Sequence, residues 1–166
     1  MRLFYVLSLA ASALSFGCIS SNPAAPTVRW FDPRPPRAAH DQRESVTVHA
    51  APFLRQDFVV RIPPHEVAID DSLRWIAPPE QIVESALDSA PALPSGMRVE
   101  LVRFEFERTD SIAAICELSC RIDGSTRPVV GRAVAASEQP EALAAAMAKA
   151  LDQVAAAVVQ LVQKRD

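Results

Sequence analysis

The chain of 166 residues predicts an α+β fold, a single domain in which an antiparallel sheet packs with two main helices. Three patterns lead there. Runs between Val46 and Ile122 alternate apolar and polar residues with the two-residue period of half-buried strands. Two stretches that open at Pro79 and Pro140 carry apolar residues three and four apart, the period of a helix. Asp123-Gly124 separates the last two strand-like runs and is a hairpin-turn signal.

Residues 1–17 stand outside that domain. Arg2 is a minimal positive start, and Leu3 to Leu14 is an uncharged apolar run of the length of a secretory signal core, too short for the roughly 20 helical residues a bilayer needs. Gly17-Cys18 closes the run as a bacterial lipobox does, which makes Cys18 the candidate lipidation site; Ser15 and Phe16 depart from the usual pattern, and ordinary signal cleavage nearby is the alternative. Ile19-Ser20 after the cysteine points to an outer-membrane destination. Loss of Arg2 with the signal moves the net charge from -3 to -4, so attachment to a membrane would fall to acyl chains at about 0.8 kcal/mol per buried methylene. Residues 18–43 form a Pro-rich tether after the lipidated cysteine, with Val28-Arg29-Trp30-Phe31 apolar enough to dock as an edge strand. The domain proper is expected over 44–166.

Within it, Val46, Val48 and Ala50 alternate with polar neighbours until Pro52, and Phe58 to Ile62 is a second strand ended by Pro63-Pro64. Val67 and Ile69 suggest a short third, with Asp70-Asp71 a turn or helix-start signal before Leu73–Ile76. Pro78-Pro79 opens a helix with Ile82, Val83, Ala86 and Leu87 on one face, closed by Pro91 and Pro94. Val99 and Leu101 have odd parity while Phe104 and Phe106 have even parity, which requires a bulge near Val102-Arg103. Ile112, Ala114, Cys116, Leu118, Cys120 and Ile122 share one side of the next strand, and Pro128–Ala136 is its partner. The final helix, capped by Ser137, carries Leu143, Met147, Leu151, Val154, Val158 and Leu161 on one stripe.

Chemistry is sparse in this pattern. Four scattered glycines exclude a phosphate-cradling loop, and a mildly acidic chain without a basic run excludes a nucleic-acid surface. Cys116 and Cys120 are four strand residues apart, about 13 Å, too far for a disulfide, and are expected as core thiols. His40, His49 and His65 have no metal-ligand spacing, and no serine sits in a nucleophile motif. Glu105 and Glu107 share the polar side of a strand with Arg103. Trp75 suits either a half-buried core anchor or a partner contact, and the alanine-rich flank of the last helix suits either an interface or a compositional bias. No enzyme, metal or cofactor is expected.

Taken in order, several segments resemble the ABC-type transport auxiliary lipoproteins of the paraquat-inducible protein C type. Val46 to Pro52 with Leu54 resembles the family's first strand, and Val59-Val60-Arg61 its second with an Arg. Trp75 ahead of Pro78-Pro79 is similar to its Trp–x–x–Pro approach to the first helix, Arg103-Phe104-Glu105 to its Arg-Phe-Glu strand, and the alanine-rich helix from Ala142 to its end. Trp30-Phe31 stands where relatives often have a Tyr-Tyr-Leu segment. The resemblance covers about 28–164 and rests on order and spacing. It implies a lipid-anchored protein on the periplasmic face of the outer membrane, without catalysis. Such a protein works beside an MCE-domain protein and an inner-membrane ABC permease and ATPase that move phospholipid or other hydrophobic cargo. A homo-oligomer is implied too, and Arg61, Trp75 and Arg103 are the candidate partner-binding residues. An envelope assembly lipoprotein independent of a transporter is the alternative.

Overall fold

The computed structural model describes residues 27–34, 46–90, 93, 97–122 and 124–164. The signal, Cys18, His40, most of the tether, Pro91, Pro94 and Asp123 lie outside the described residues. The elements are β1 (Arg29–Phe31), β2 (Thr47–Ala50), β3 (Asp57–Ile62), β4 (Glu66–Trp75), α1 (Pro79–Asp88), β5 (Arg98–Arg108), β6 (Ile112–Ile122), β7 (Ser125–Val134) and α2 (Pro140–Gln163). This is an α+β architecture, with one sheet of seven strands and two helices.

The strand order is β1-β4-β3-β5-β6-β7, with β2 also paired to β5. The sheet is mixed, a correction to the expected antiparallel one: β1 lies parallel to β4, and both β2 and β3 lie parallel to β5. Apolar alternation reports which side chains are buried but not which neighbour a strand takes. Here α1 returns the chain from the end of β4 to the start of β5, and a connection of that length permits the parallel pairing a tight hairpin forbids. β2 and β3 occupy successive stretches of the same edge of β5, the first beside Arg98–Leu101 and the second beside Phe106-Glu107. The chain leaves the sheet between them at Pro52, and β5 carries its own register shift between Leu101 and Arg103 at the same level, where the parity switch places a bulge.

Three further expectations change. Residues 66–75 form one strand, not two segments. Asp70-Asp71 marks no turn: Asp70 Oδ1 accepts from Ser72 N at 3.0 Å and Ser72 Oγ at 2.6 Å, where the β3–β4 register jumps between Phe58↔Asp70 and Asp57↔Arg74. The residue that caps α2 is Gln139, not Ser137, whose hydroxyl instead accepts from Gln139 N at 3.3 Å. Two other local signals hold. Val28-Arg29-Trp30-Phe31 contributes the edge strand β1, and α1 buries Pro79, Ile82, Val83, Ala86 and Leu87.

Both helices lie on one face of the sheet. α2 presses Leu143, Met147, Ala150, Leu151, Val154 and Val158 onto β6 and β7, while Leu161 is only partly covered. It is long and apolar enough to cross a membrane, yet half of its apolar window is buried in this fold. An aromatic cluster fills the other end. Trp75 is 1% exposed and stacks on Phe58 with centroids 4.1 Å apart, meets Phe104 edge-on at 5.4 Å, and Phe31 and Phe106 close the group around Phe58.

The closest approach of helix to sheet is at Gly131. A Cβ there would overlap the Ala150 carbonyl oxygen and stand 2.8 Å from Val154 Cγ2. Gly131→Ala relieves unfolded-state entropy by roughly 0.4–1 kcal/mol. The helix backbone cannot move aside locally, so the overpacking of about 2–3 kcal/mol wins. Denaturant unfolding of this variant is expected to show that net loss, and unchanged stability would mean that α2 does not rest on β7 here.

Candidate functional site

With α1 and α2 on one face, the other face of the sheet carries no described element. β6 shows the division: its even residues from Ile112 to Ile122 face the helices, and Ala113, Ile115, Glu117, Ser119 and Arg121 face away. Alternation then assigns the neighbours. Arg61 on β3, Arg103, Glu105 and Glu107 on β5, and Val130, Arg132 and Val134 on β7 all project from the open face.

These side chains form one ionic ladder. Arg61 donates from Nε and Nη2 to the two oxygens of Glu105 at 2.8 and 3.0 Å, a bidentate pair. Arg103 donates to Glu105 Oε1 from Nε at 2.9 Å and Nη2 at 2.7 Å, and from Nη2 to Glu107 Oε2 at 3.2 Å. Arg132 reaches Glu107 Oε1 from across β6 at 2.8 Å. Exposure is uneven: the Glu105 side chain retains 7% of its surface, whereas Arg61, Arg103 and Arg132 retain 44%, 29% and 46%. The carboxylates lie beneath and the guanidiniums above. Asp57 is a second nearly buried carboxylate: Arg55 Nε donates to it at 3.0 Å, and Arg74 Nε lies 3.1 Å away as an ion pair, buried and without a hydrogen bond.

Titration follows the geometry. Burial pushes the Glu105 carboxyl up, but the hydrogen bonds and charges of Arg61 and Arg103 outweigh it and hold the group below its ordinary value. Glu107 is lowered by Arg132 and then Arg103. Arg61 is raised by its bonds to Glu105; Arg103 is raised by Glu105 and Glu107 against the opposing effect of its own burial.

Of the three residues singled out in the sequence, Arg61 and Arg103 meet on Glu105, while Trp75 lies in the core on the other side of the sheet and reaches no surface. The carboxylates at 105 and 107 were visible as a pair beside Arg103. Arg132 and Asp57 were not singled out: alternation in β7 places Arg132 on the polar side, but only the register across β6 brings it to Glu107. Cys116 and Cys120 are free and buried under the helices, and burial raises both thiols, Cys120 to about 11. Among the described residues no group of three or more His, Cys, Asp and Glu could hold a metal ion. On the helix side the alanines of α2 border a groove of about 570 Å³ against α1, walled by Ala86, Ala90, Ala155, Ala156 and Val159.

No protein-family model and no curated protein matches the chain. Several solved structures share its fold, and two of them illustrate the likeness. One is the crystal structure of an uncharacterized protein with 13% identity and a TM-score of 0.58, over 82% of this chain and 99% of that one. The other is a Xanthomonas campestris protein of the family DUF330, with 20% identity and a TM-score of 0.55, over 84% of this chain and 95% of its own. At these identities the likeness is one of fold alone.

The lowered carboxyls set a pH dependence. Because Glu105 and Glu107 titrate below their ordinary value of 4.5 in the folded state, their stabilisation is complete above that value and is lost as pH falls through the lowered folded values. Melting temperatures are expected to be level from pH 7 to about 5 and to drop below 4.5. Glu105→Gln should cost roughly 1–2 kcal/mol at neutral pH and flatten the acid limb. Parallel curves for variant and wild type down to pH 3 would remove the ladder from the account.

Proposed function

We propose that this chain is a non-catalytic, lipid-anchored accessory protein of the bacterial envelope, the docking module of an ABC/MCE-type system that moves lipid or other hydrophobic cargo between membranes. One observation carries the reading. Two of the short segments that resemble the transport auxiliary lipoproteins, Val59-Val60-Arg61 and Arg103-Phe104-Glu105, come from distant parts of the chain and are joined by the bidentate Arg61–Glu105 pair. A resemblance carried by residues that hold one another is better explained by a shared surface than by shared composition. The apolar leader ending in Gly17-Cys18 supports export and acylation, which would hold the domain at the periplasmic face of the outer membrane. The shared fold with a DUF330 protein from a bacterium is consistent with that setting. The role is mechanical: the sheet presents a fixed face to a partner while the acyl chains and the Pro-rich tether set its distance from the bilayer.

Two experiments test this. Radioactive palmitate is expected to label the wild type and not Cys18→Ala; equal labelling of both would end the anchor. Affinity isolation from mild detergent extracts of the native envelope is expected to recover an MCE-domain protein together with ABC permease subunits. Repeated recovery of peptidoglycan enzymes in their place would give the assembly role instead.

A further inference from the structure

We propose that the open face of the sheet docks an acidic protein segment, whose carboxylates are received by Arg61, Arg103 and Arg132. This rests on the docking role proposed above but not on a transport system. The groups that lie outermost on the face decide the partner. The chain carries a net charge of -3, yet what this face offers first to an approaching group is guanidinium, because its central carboxylates, Glu105 and Glu107, lie beneath the arginines. Among the described residues Arg61 Nη1 and Arg132 Nε and Nη2 donate to no acceptor, so donors remain after the ladder has formed. They are held from below by their bonds to Glu105 and Glu107. Much of the rotamer entropy that an arginine loses on binding is therefore already spent in the free protein. Exposed Val67 and Ile69 on β4 and Val130 and Val134 on β7 flank the ladder on the same face and add apolar area to a contact.

The same details favour a protein over an anionic bilayer. Exposed Glu100 and half-buried Glu117 also lie on this face, as do exposed Arg98 and Arg121, so five arginines stand against four glutamates and its long-range charge is small and positive. A bilayer attracts by about 1 kcal/mol per basic residue near its surface, which needs uncompensated charge. Bidentate recognition of a carboxylate is a short-range match to a planar fork and works on a nearly neutral face.

Fluorescence anisotropy of a labelled octaglutamate peptide, with the mature protein purified from envelopes in neutral detergent, tests the proposal. Saturable binding is expected, lost at high salt and at least ten-fold weaker in the double variant Arg61→Gln/Arg132→Gln. Lys149→Gln, on the exposed side of α2, is the control and should bind as the wild type does. Arg132→Gln alone leaves both arginines on Glu105 and serves if the double variant unfolds; it should bind several-fold more weakly. No saturable binding, equal affinity for octalysine, or a loss in Lys149→Gln equal to that in the arginine variants would overturn the proposal. So would binding to phosphatidylglycerol vesicles without binding to the peptide. Failure here leaves co-purification with transporter subunits untouched, so the two readings fall separately.

Discussion

The packing of α2 on the sheet depends on the contact between Gly131 and the helix backbone at Ala150. Only a residue without a Cβ lets the helix settle on β7, and from that seat α2 buries its apolar stripe over β6 and β7. The same approach brings Gln153 Oε1 to 2.9 Å from the Arg132 N–H, a donor on the free edge of the last strand. Ala135 N reaches Ile112 O instead, so odd-numbered donors near the end of β7 point to β6 and even-numbered ones point outward. Pro128 stands at an even position, where its missing N–H breaks no bond of the ladder and gives a growing aggregate one donor fewer. The seat of α2 and the Gln153 cap on the edge of β7 thus lie beside the same glycine.

Burial was largely legible in the residues; pairing was not. Ile82, Val83, Ala86 and Leu87 announce one face of α1, the six even positions of β6 announce one face of that strand, and the parity switch between Leu101 and Phe104 announces the bulge. Each is a local pattern that hydrophobic burial alone enforces. Parallel pairing of β2 and β3 with β5 has no such local signature, because it depends on where α1 returns the chain. Asp70-Asp71 misleads for a related reason: a carboxylate that binds the backbone two residues on looks the same at a turn and at an irregularity inside a strand. The site was half legible. Arg103, Glu105 and Glu107 are readable as neighbours on one strand, whereas Arg61 and Arg132 join them only through register.

The ladder contributes more to specificity of arrangement than to net stability. Bringing Glu105 out of water is costly, and its attraction to two partly exposed arginines offsets that cost without greatly exceeding it. Removing either arginine is a different matter, since a nearly buried carboxylate would lose part of its compensation. A slip of β3 by one residue along β5 would turn Arg61 towards the aromatic cluster and Val60 towards Glu105. The ion pair penalises that slip in a stretch where β3 and β5 share only the Val60↔Phe106 and Arg61↔Glu107 positions.

The arginines also explain a burial that the helices cannot. Ala113 and Ile115 point away from α2, yet they are 0% and 2% exposed. Their register neighbours are Glu107 and Glu105 on one side and Val134 and Arg132 on the other. That register sets Glu105, Glu107 and Arg132 beside these two residues, where long side chains joined at their charged ends can cover them with methylene stems. A lysine in place of Arg132 could supply the stem but not a planar group fixed at both ends of its reach, and this cover would loosen. Charge is thus carried beside two buried apolar residues of β6, and the sheet can be open on this side without exposing them.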